Sequence, residues 1–199
     1  MITFIDSDMR LHLAVAQVWG LLTIRLADDP VLQLCPTCYA KALKKYIRLF
    51  EQQMHQRSIQ AAPASTRKKL HRLRAAQRQL ETNAIAFEYD KRRLRSVYGE
   101  DCQMTGRRRH ASCLALRTSI NDRLSNLERH FIDPNGVPDR KWYKHALVGP
   151  GKWDWAEADH QPFPALAAAL ETGTRQQFQQ CEKDIANIIH EAAWFLREI

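Results

Sequence analysis

The sequence predicts an all-α fold, an up-and-down bundle of the four-helix type with additional short helices and one long loop rich in Pro, Gly and Trp. Apolar residues recur at spacings of three and four along several long segments. Only seven glycines and eight prolines interrupt the 199 residues, and most of them cluster in a few places. No segment alternates with period two for long enough to predict a strand. With 45% apolar residues, the chain is expected to form a single domain over residues 1–199.

The first two predicted helices occupy residues 8–28 and 36–56. The first carries an apolar stripe made of Leu11, Val15, Val18, Leu22 and Leu26. Pro30 closes it, and Pro36, a residue suited to a first helical turn, opens the second. The stripe of the second helix consists of Tyr39, Leu43, Tyr46, Ile47, Phe50 and Met54.

Two further helices are predicted over residues 65–98 and 107–131. The first has apolar residues near heptad positions, namely Leu70, Leu73, Leu80, Ala84, Phe87, Leu94 and Tyr98. Gln77 and Lys91 interrupt this seam, and Gly99 ends the helix. The stripe of the next helix consists of Cys113, Leu116, Ile120, Leu124, Leu127 and Phe131.

The C-terminal third begins with a long irregular segment, residues 133–162. Such segments are uncommon in compact domains and usually have a function. A short helix is predicted over residues 163–171 and the last helix over residues 174–199. The main stripe of the last helix is Phe178, Cys181, Ile185, Ile188, Ala192, Phe195 and Ile199. A bundle would bury all these stripes together.

The net charge of +8 favours acidic partners, and much of it lies between residues 67 and 109. We interpret these basic runs as a solvated helix face and expect no nucleic acid partner. The alternative is a basic helical domain that binds nucleic acid or an anionic membrane surface. Direct membrane insertion is not expected, because no apolar run approaches the roughly 20 residues that cross a bilayer.

The sequence predicts neither catalytic residues nor a metal or cofactor site. Cys35 and Cys38 could supply half of a zinc site, but a structural site needs four ligands. The alternative to a zinc site is a pair of thiols at the start of a helix, which can form a local disulfide. The five cysteines do not form a recognisable disulfide framework. The eight histidines are scattered, and the motifs HExxH, GxSxG, GxGxxG and the P-loop do not occur.

Two segments resemble the helical dimerisation domain of the glutamate carboxypeptidase and transferrin receptor family. HLAVAQVWGLLTIRLADDPVL, residues 12–32, is similar to the opening helix of that domain. Residues 120–153 contain a longer and more specific pattern. Its residues are Phe131, Asp133, Pro134, Gly136, Pro138, Asp139, Arg140, Tyr143 and His145. The prolines and Gly136 fix a rigid path, which the aromatic residues can anchor to the bundle.

The resemblance implies a non-catalytic assembly module that forms a homodimer. In this family the domain follows a peptidase-like domain, which holds the zinc ligands, and an apical domain. The members are type II membrane proteins, so a lumenal or extracellular location, in a vacuole or endosome or at the cell surface, is expected by resemblance. A further alternative is the C-terminal part of an active zinc peptidase that contributes a substrate-facing loop.

Two sets of residues are candidate contacts, one implied by the resemblance and one by the apolar arc of the last helix. In glutamate carboxypeptidase a lysine and a tyrosine in the loop face the substrate, and Lys152 and Trp153 stand near that place here. Packing within the loop is the alternative role for Trp153. Ile189, Trp194 and Leu196 widen the apolar arc of the last helix beyond one internal contact, so we expect them to contact a second copy.

Overall fold

The structure, a computed structural model, describes residues 6, 8–61, 70–98, 102, 107–138, 140–149 and 161–197. The all-α prediction is confirmed over these residues. The helices are α1 (Arg10–Asp28), α2 (Pro36–Ala61), α3 (His71–Tyr98), α4 (Arg107–Asn126), α5 (Pro164–Thr172) and α6 (Arg175–Arg197). A 3₁₀ helix, Leu127–Phe131, continues α4, and β1 (Val148–Gly149) pairs antiparallel with β2 (Gln161–Pro162).

Helix α3 lies at the centre of the body and packs against α2, α4 and α6. Its predicted seam is buried at Leu70, Leu73, Leu80, Ala84, Phe87 and Leu94. The two polar residues of the seam are buried as well. The Gln77 side chain donates to the carbonyl of Ala40 at 3.2 Å, and the Lys91 ammonium donates to the carbonyl of Leu34 at 3.0 Å. Each of these two residues therefore donates a hydrogen bond to the backbone of a neighbouring segment, so its buried polar group has a partner.

Helix α2 extends five residues beyond its predicted end, to Ala61. Its core residues are Ala40, Leu43, Ile47, Phe50 and Met54. A buried carboxylate, Glu51, ties α2 to the start of α3, because it accepts bonds from the backbone N–H of Leu70 at 3.2 Å and from Arg74 Nε at 2.8 Å. A second guanidinium nitrogen of Arg74 contacts the other carboxylate oxygen, so the pair is bidentate.

Helix α6 begins with a capping box. The Gln177 N–H donates to the Thr174 hydroxyl at 3.2 Å, and the Thr174 N–H donates to the Gln177 side chain at 2.7 Å. The buried residues of α6 differ from the predicted stripe, because α3 covers one side while α5 and the 3₁₀ helix cover another. They are Glu182, Ile185, Ala186, Ile189, Ala192, Ala193 and Leu196. Phe178, Cys181, Ile188 and Phe195 are only half-buried.

Helix α1 forms as predicted but does not join the bundle, which corrects the expectation that all stripes are buried together. It has no buried residue. The stripe side chains from Leu11 to Leu26 are between 53% and 61% exposed. A periodic stripe predicts a helix, but it carries no information about which element covers it. None of the helices in the described parts of the chain is long and apolar enough to span a membrane.

The structure also corrects the expectation that the cysteines form no framework. Cys102 is bonded to Cys113, and Cys35 is bonded to Cys38, the local pair that the sequence left open. Cys181 is the free thiol. Cys102 precedes α4 and Cys113 lies within it. Their spacing of 11 residues matches no familiar motif.

Candidate functional site

The family-like loop folds as a compact hairpin. The Asp133 N–H donates to the carbonyl of Lys144 at 2.8 Å, and the Val137 N–H donates to the carbonyl of Tyr143 at 2.9 Å. At the base, the Ala146 N–H donates to the carbonyl of Phe131 at 2.8 Å. These cross-chain bonds satisfy the backbone of a segment that has little regular structure.

Gly136 ends a tight turn, Asp133 to Gly136, in the first arm of this hairpin. Its φ is +69°, in the left-handed region that favours glycine. A Cβ at this position would lie 2.4 Å from the carbonyl oxygen of Lys141. The Gly136 N–H also donates to the carbonyl of Asp133, whose carboxylate accepts from the Asn135 N–H at 2.8 Å. Pro134 and Pro138, which restrict the backbone on either side of Gly136, are both exposed.

Aromatic residues fasten the loop to the body. Phe131 is fully buried and stacks on Tyr39 of α2, with ring centroids 5.8 Å apart. The Tyr143 hydroxyl donates to the carbonyl of Val148 at 2.6 Å. The same ring lies so close to Gly149 that a Cβ there would be 2.5 Å from it. Burial raises the pKa of Tyr143, so its phenol keeps the proton that makes this bond.

His145 is held at both ring nitrogens. Nε2 lies 2.8 Å from the Glu128 carboxylate, and Nδ1 accepts from the Val148 N–H at 3.3 Å. The ring therefore links the 3₁₀ helix to β1. Burial, and then the nearby Glu128 carboxylate, raise the pKa of Tyr39 above its ordinary value.

Not every residue of the predicted pattern lies where the structure describes it. Arg140 is half-buried and its N–H donates to the carbonyl of Val137 at 2.9 Å. Asp139, Lys152 and Trp153 lie outside the described residues, so the predicted substrate-facing role of the last two stays a prediction. Among the residues that are described, no group of three His, Cys, Asp or Glu side chains could hold a metal ion.

A second surface of interest surrounds Trp194 on α6. Its side chain is 58% exposed, and the Arg197 guanidinium lies 5.5 Å from the ring centroid, within reach of a cation–π contact. Beside it, Phe195 and His130 face each other with ring centroids 4.1 Å apart. These residues line a groove of about 650 Å³, together with Gln79, Asn83, His190 and Glu191. We call it the Trp194 groove.

Of the three predicted dimer contacts, only Trp194 lies at the surface. Ile189 is 0% exposed and Leu196 is 1% exposed, because both face the core of the domain. The sequence prediction placed these two residues outside the internal stripe, whereas α6 is rotated toward them. In this orientation the side chain of Asn83 on α3 donates a 2.7 Å hydrogen bond to the carbonyl of Ala193.

Sequence reasoning missed two residues that organise these sites. Glu128 holds His145 from 17 positions away, and no local spacing signals that pairing. His130 contacts Phe195, a residue on a different helix, so this pairing also depends on the tertiary fold. A third residue, Asn83, lies beside the predicted seam of α3, next to Ala84, and its burial and its bond to α6 depend on the tertiary fold.

The helical body, the hairpin clamped to it and the Trp194 groove define a compact helical domain. Residues 68–197 match the model of the transferrin receptor-like dimerisation domain. The chain belongs to this family, as the resemblance in its sequence indicated.

The chain is also similar to several large proteins. A probable glutamate carboxypeptidase of Zea mays is 30% identical over 161 residues, which is 80% of this chain and 19% of that protein. One of Arthroderma benhamiae is 24% identical over 200 residues, covering 98% of this chain and 24% of that protein. An inactive zinc metalloprotease of Schizosaccharomyces pombe is 25% identical over 172 residues, 86% of this chain and 20% of that protein. The chain thus spans about a fifth of the length of such relatives.

Proposed function

We propose that this chain is a non-catalytic assembly module that holds together two copies of a glutamate carboxypeptidase-like or transferrin receptor-like protein. The observation that carries the proposal is the match of residues 68–197 to a dimerisation family over the helical body itself. The matched range includes α3, α4, α5, α6 and the clamped loop. Two-fold pairing is the commonest form of soluble assembly and requires only one self-complementary surface.

The Trp194 groove supplies a surface of the required kind. Exposed tryptophan and arginine are the side chains most often found at the energetic centre of an interface. Trp194 and Arg197 lie together here, and the half-buried Phe195 extends the apolar area. A second copy would cover the exposed indole and leave the charge of Arg197 at the rim.

Sedimentation velocity over a concentration series of the whole chain tests this proposal. We expect a monomer–dimer equilibrium that Trp194→Ala weakens at least tenfold, because truncation of a central interface residue costs about 2 kcal/mol or more. Trp142→Ala is the matched control, since Trp142 is 70% exposed but lies on the hairpin loop. A wild-type chain that stays monomeric to hundreds of micromolar would refute the proposal, and equal effects of the two variants would exclude the groove.

The second candidate function is a contribution to an active peptidase. This function would belong to the whole protein rather than to this chain alone. Relatives named as carboxypeptidases and a relative named as an inactive metalloprotease both align with it, so similarity in this domain does not separate the two cases. Lys152 and Trp153 are the residues that would face a substrate. The sequence encoded next to this chain tests the point, because an intact set of zinc ligands there indicates a hydrolase and its loss indicates a receptor or adaptor.

A further inference from the structure

The disulfide between Cys35 and Cys38 lies at the surface, and the proposed function makes no use of it. Cys38 is exposed and Cys35 is half-buried. The second disulfide is fully buried, since Cys102 and Cys113 are both 0% exposed. A bond across three positions closes a very short loop, so it constrains the unfolded chain less than a bond across a long loop. The exposed pair is therefore open to thiols in solution and joins no distant segments of the fold.

Two hydrogen-bond donors contact the sulfur of Cys35. The Cys38 N–H donates to Cys35 Sγ at 3.2 Å. The Thr37 hydroxyl lies 3.4 Å from the same sulfur and must be the donor, because a disulfide sulfur carries no hydrogen. Cys35 also stands directly before Pro36, the first residue of α2, where the helix dipole favours negative charge. These groups would stabilise the negative charge that forms on Cys35 when the bond between the two sulfurs breaks.

A cleft of about 750 Å³ between α2 and α3 adjoins Cys35 and carries an excess of positive charge. Its charged lining consists of Lys41, Lys91, Arg92, Arg95, Glu81 and Glu88. The four cations outnumber the two carboxylates, so the potential beside Cys35 is positive. A positive potential stabilises a thiolate at Cys35 and also attracts an anionic thiol toward the pair.

We propose that the Cys35–Cys38 disulfide is a site of thiol–disulfide exchange with small anionic thiols of the glutathione class. The incoming thiolate attacks the exposed sulfur of Cys38, the bond between the two cysteines breaks, and its electron pair leaves on Cys35. A second thiolate then attacks the sulfur of the bound thiol and releases Cys38. Two small thiols are thereby oxidised to one disulfide, and their two electrons and two protons reduce the pair to two thiols. The inference is separate from the proposed function, because residues 35–38 lie outside residues 68–197 and the Trp194 groove.

Reduction of the whole chain by glutathione tests the proposal, with the buried disulfide as an internal control. The protein is incubated with excess reduced glutathione at pH 7, and samples are acidified, alkylated with N-ethylmaleimide and mapped by mass spectrometry. We expect the Cys35–Cys38 bond to open at least about tenfold faster than the Cys102–Cys113 bond, because access and the leaving sulfur both favour it. Circular dichroism should show that the helices persist after the exposed pair has opened. Equal rates for the two disulfides overturn the proposal.

Two single-cysteine variants test which sulfur leaves more readily, in a Cys181→Ser background that removes the free thiol. Oxidised glutathione converts Cys38→Ser into a mixed disulfide at Cys35, and Cys35→Ser into a mixed disulfide at Cys38. Reduced glutathione then attacks the glutathione sulfur of each adduct and expels the protein thiolate. We expect the Cys35 adduct to be reduced at least about threefold faster, because its thiolate retains the N–H donor and the hydroxyl donor. Equal rates, or faster reduction of the Cys38 adduct, overturn the assigned direction and with it the proposal.

The hydroxyl donor is tested by a substitution that keeps the shape of the side chain. Thr37→Val removes the donor to Cys35 and should slow the opening of the Cys35–Cys38 bond by about threefold or more. Thr23→Val is the matched control, because the Thr23 hydroxyl on α1 bonds the carbonyl of Trp19 and should leave the rate unchanged. Equal rates for Thr37→Val and the unmodified chain overturn the role assigned to the surroundings of Cys35.

The charge of the cleft is tested by two double variants that remove the same net charge. Lys41→Gln with Arg92→Gln neutralises two cations of the lining and should slow the opening of the exposed disulfide by about threefold or more. Lys45→Gln with Arg93→Gln changes exposed residues outside the lining and should leave the rate within about twofold. Equal effects of the two double variants mean that the cleft does not assist the exchange, and they overturn the preference for anionic thiols.

Discussion

Gly136 shows how one residue fixes the course of the hairpin loop. Its φ of +69° and the carbonyl of Lys141 at 2.4 Å from a Cβ leave room for no side chain. Gly136→Ala should therefore lower the free energy of unfolding by about 1–3 kcal/mol, since both strain and a backbone clash act against it. Urea unfolding measures the change. Gly20→Ala is the control, because a Cβ at Gly20 meets no atom within 4 Å, and it should not alter global stability.

Cys181 is the free thiol, and its surroundings control its reactivity. Burial raises the pKa of the Cys181 thiol to about 12, so at pH 8 almost none of it is the reactive thiolate. Cys181 should resist iodoacetamide at pH 8 in the native protein and react fully in urea. Mass spectrometry of the labelled peptides measures this, and rapid native labelling would contradict the assigned environment.

The sequence predicted the turn residues of the loop, but it did not predict which side chains contact each other across the fold. The spacing of Pro134, Gly136 and Pro138 indicates a rigid turn, because these residue types restrict or permit backbone angles locally. The pairing of His145 and Glu128 and the bond between Cys102 and Cys113 depend on segments that only the tertiary fold brings together. Local chemistry can be inferred from a sequence, whereas such pairings require the path of the chain.

At the scale of the elements, periodicity predicted the helices and their approximate ends. The α3 seam was predicted and is buried. The rotation of α6 was not, because its apolar arc is wide enough to permit several orientations, and the contacts with α3 and α5 select one. For α1, the periodic stripe predicted the helix, but nothing in the stripe states whether the same chain covers it.

Glu51 provides the clearest test of how two elements are joined. Its carboxylate bonds the Leu70 N–H and the Arg74 guanidinium from a site that is only 8% exposed. Glu51→Gln removes the charge and one acceptor and should destabilise the fold by about 1–3 kcal/mol, since buried partners are left unsatisfied. Thermal and urea unfolding measure this. Glu191→Gln, an exposed change on α6, should stay within about 0.5 kcal/mol.

The start of α1 should respond to acid. The hydrogen bond from the His12 side chain, followed by the backbone bonds of the first turn, lowers the pKa of Asp6 below its ordinary value of 3.8. A lowered pKa means that the ionised cap stabilises the helix above the unfolded value and is lost as the pH falls through the folded one. Amide exchange at Leu11 and His12 should accelerate in that range, and Asp6→Ala should remove the dependence. Asp8→Ala, an exposed change, should leave it intact.

The net charge of the whole molecule bears on two alternatives, an assembly module and a basic protein that binds nucleic acid. The chain carries a net charge of +8, which alone would attract nucleic acid or an anionic surface. Several basic side chains of α3 are nonetheless engaged within the fold: Arg74 with Glu51, Lys91 with the carbonyl of Leu34, and Arg72 with the carbonyl of Gln179. These contacts favour a structural role for part of the basic stretch.

Salt dependence therefore discriminates between the two functions at the scale of the whole chain. The surface proposed for self-association, the Trp194 groove, is centred on the rings of Trp194 and Phe195, and apolar contacts do not release counterions. We expect the dimer dissociation constant to change less than about threefold between 50 and 200 mM salt, because screening acts only on the charges at the rim. A protein that contacts 6–10 phosphates would lose about 10³–10⁵ in affinity over the same range. Sedimentation at several salt concentrations, with a fluorescent DNA duplex in a parallel titration, measures both quantities. Tight, salt-sensitive duplex binding by a chain that remains monomeric would favour the nucleic acid function, because the charge would then act on a partner rather than within the fold.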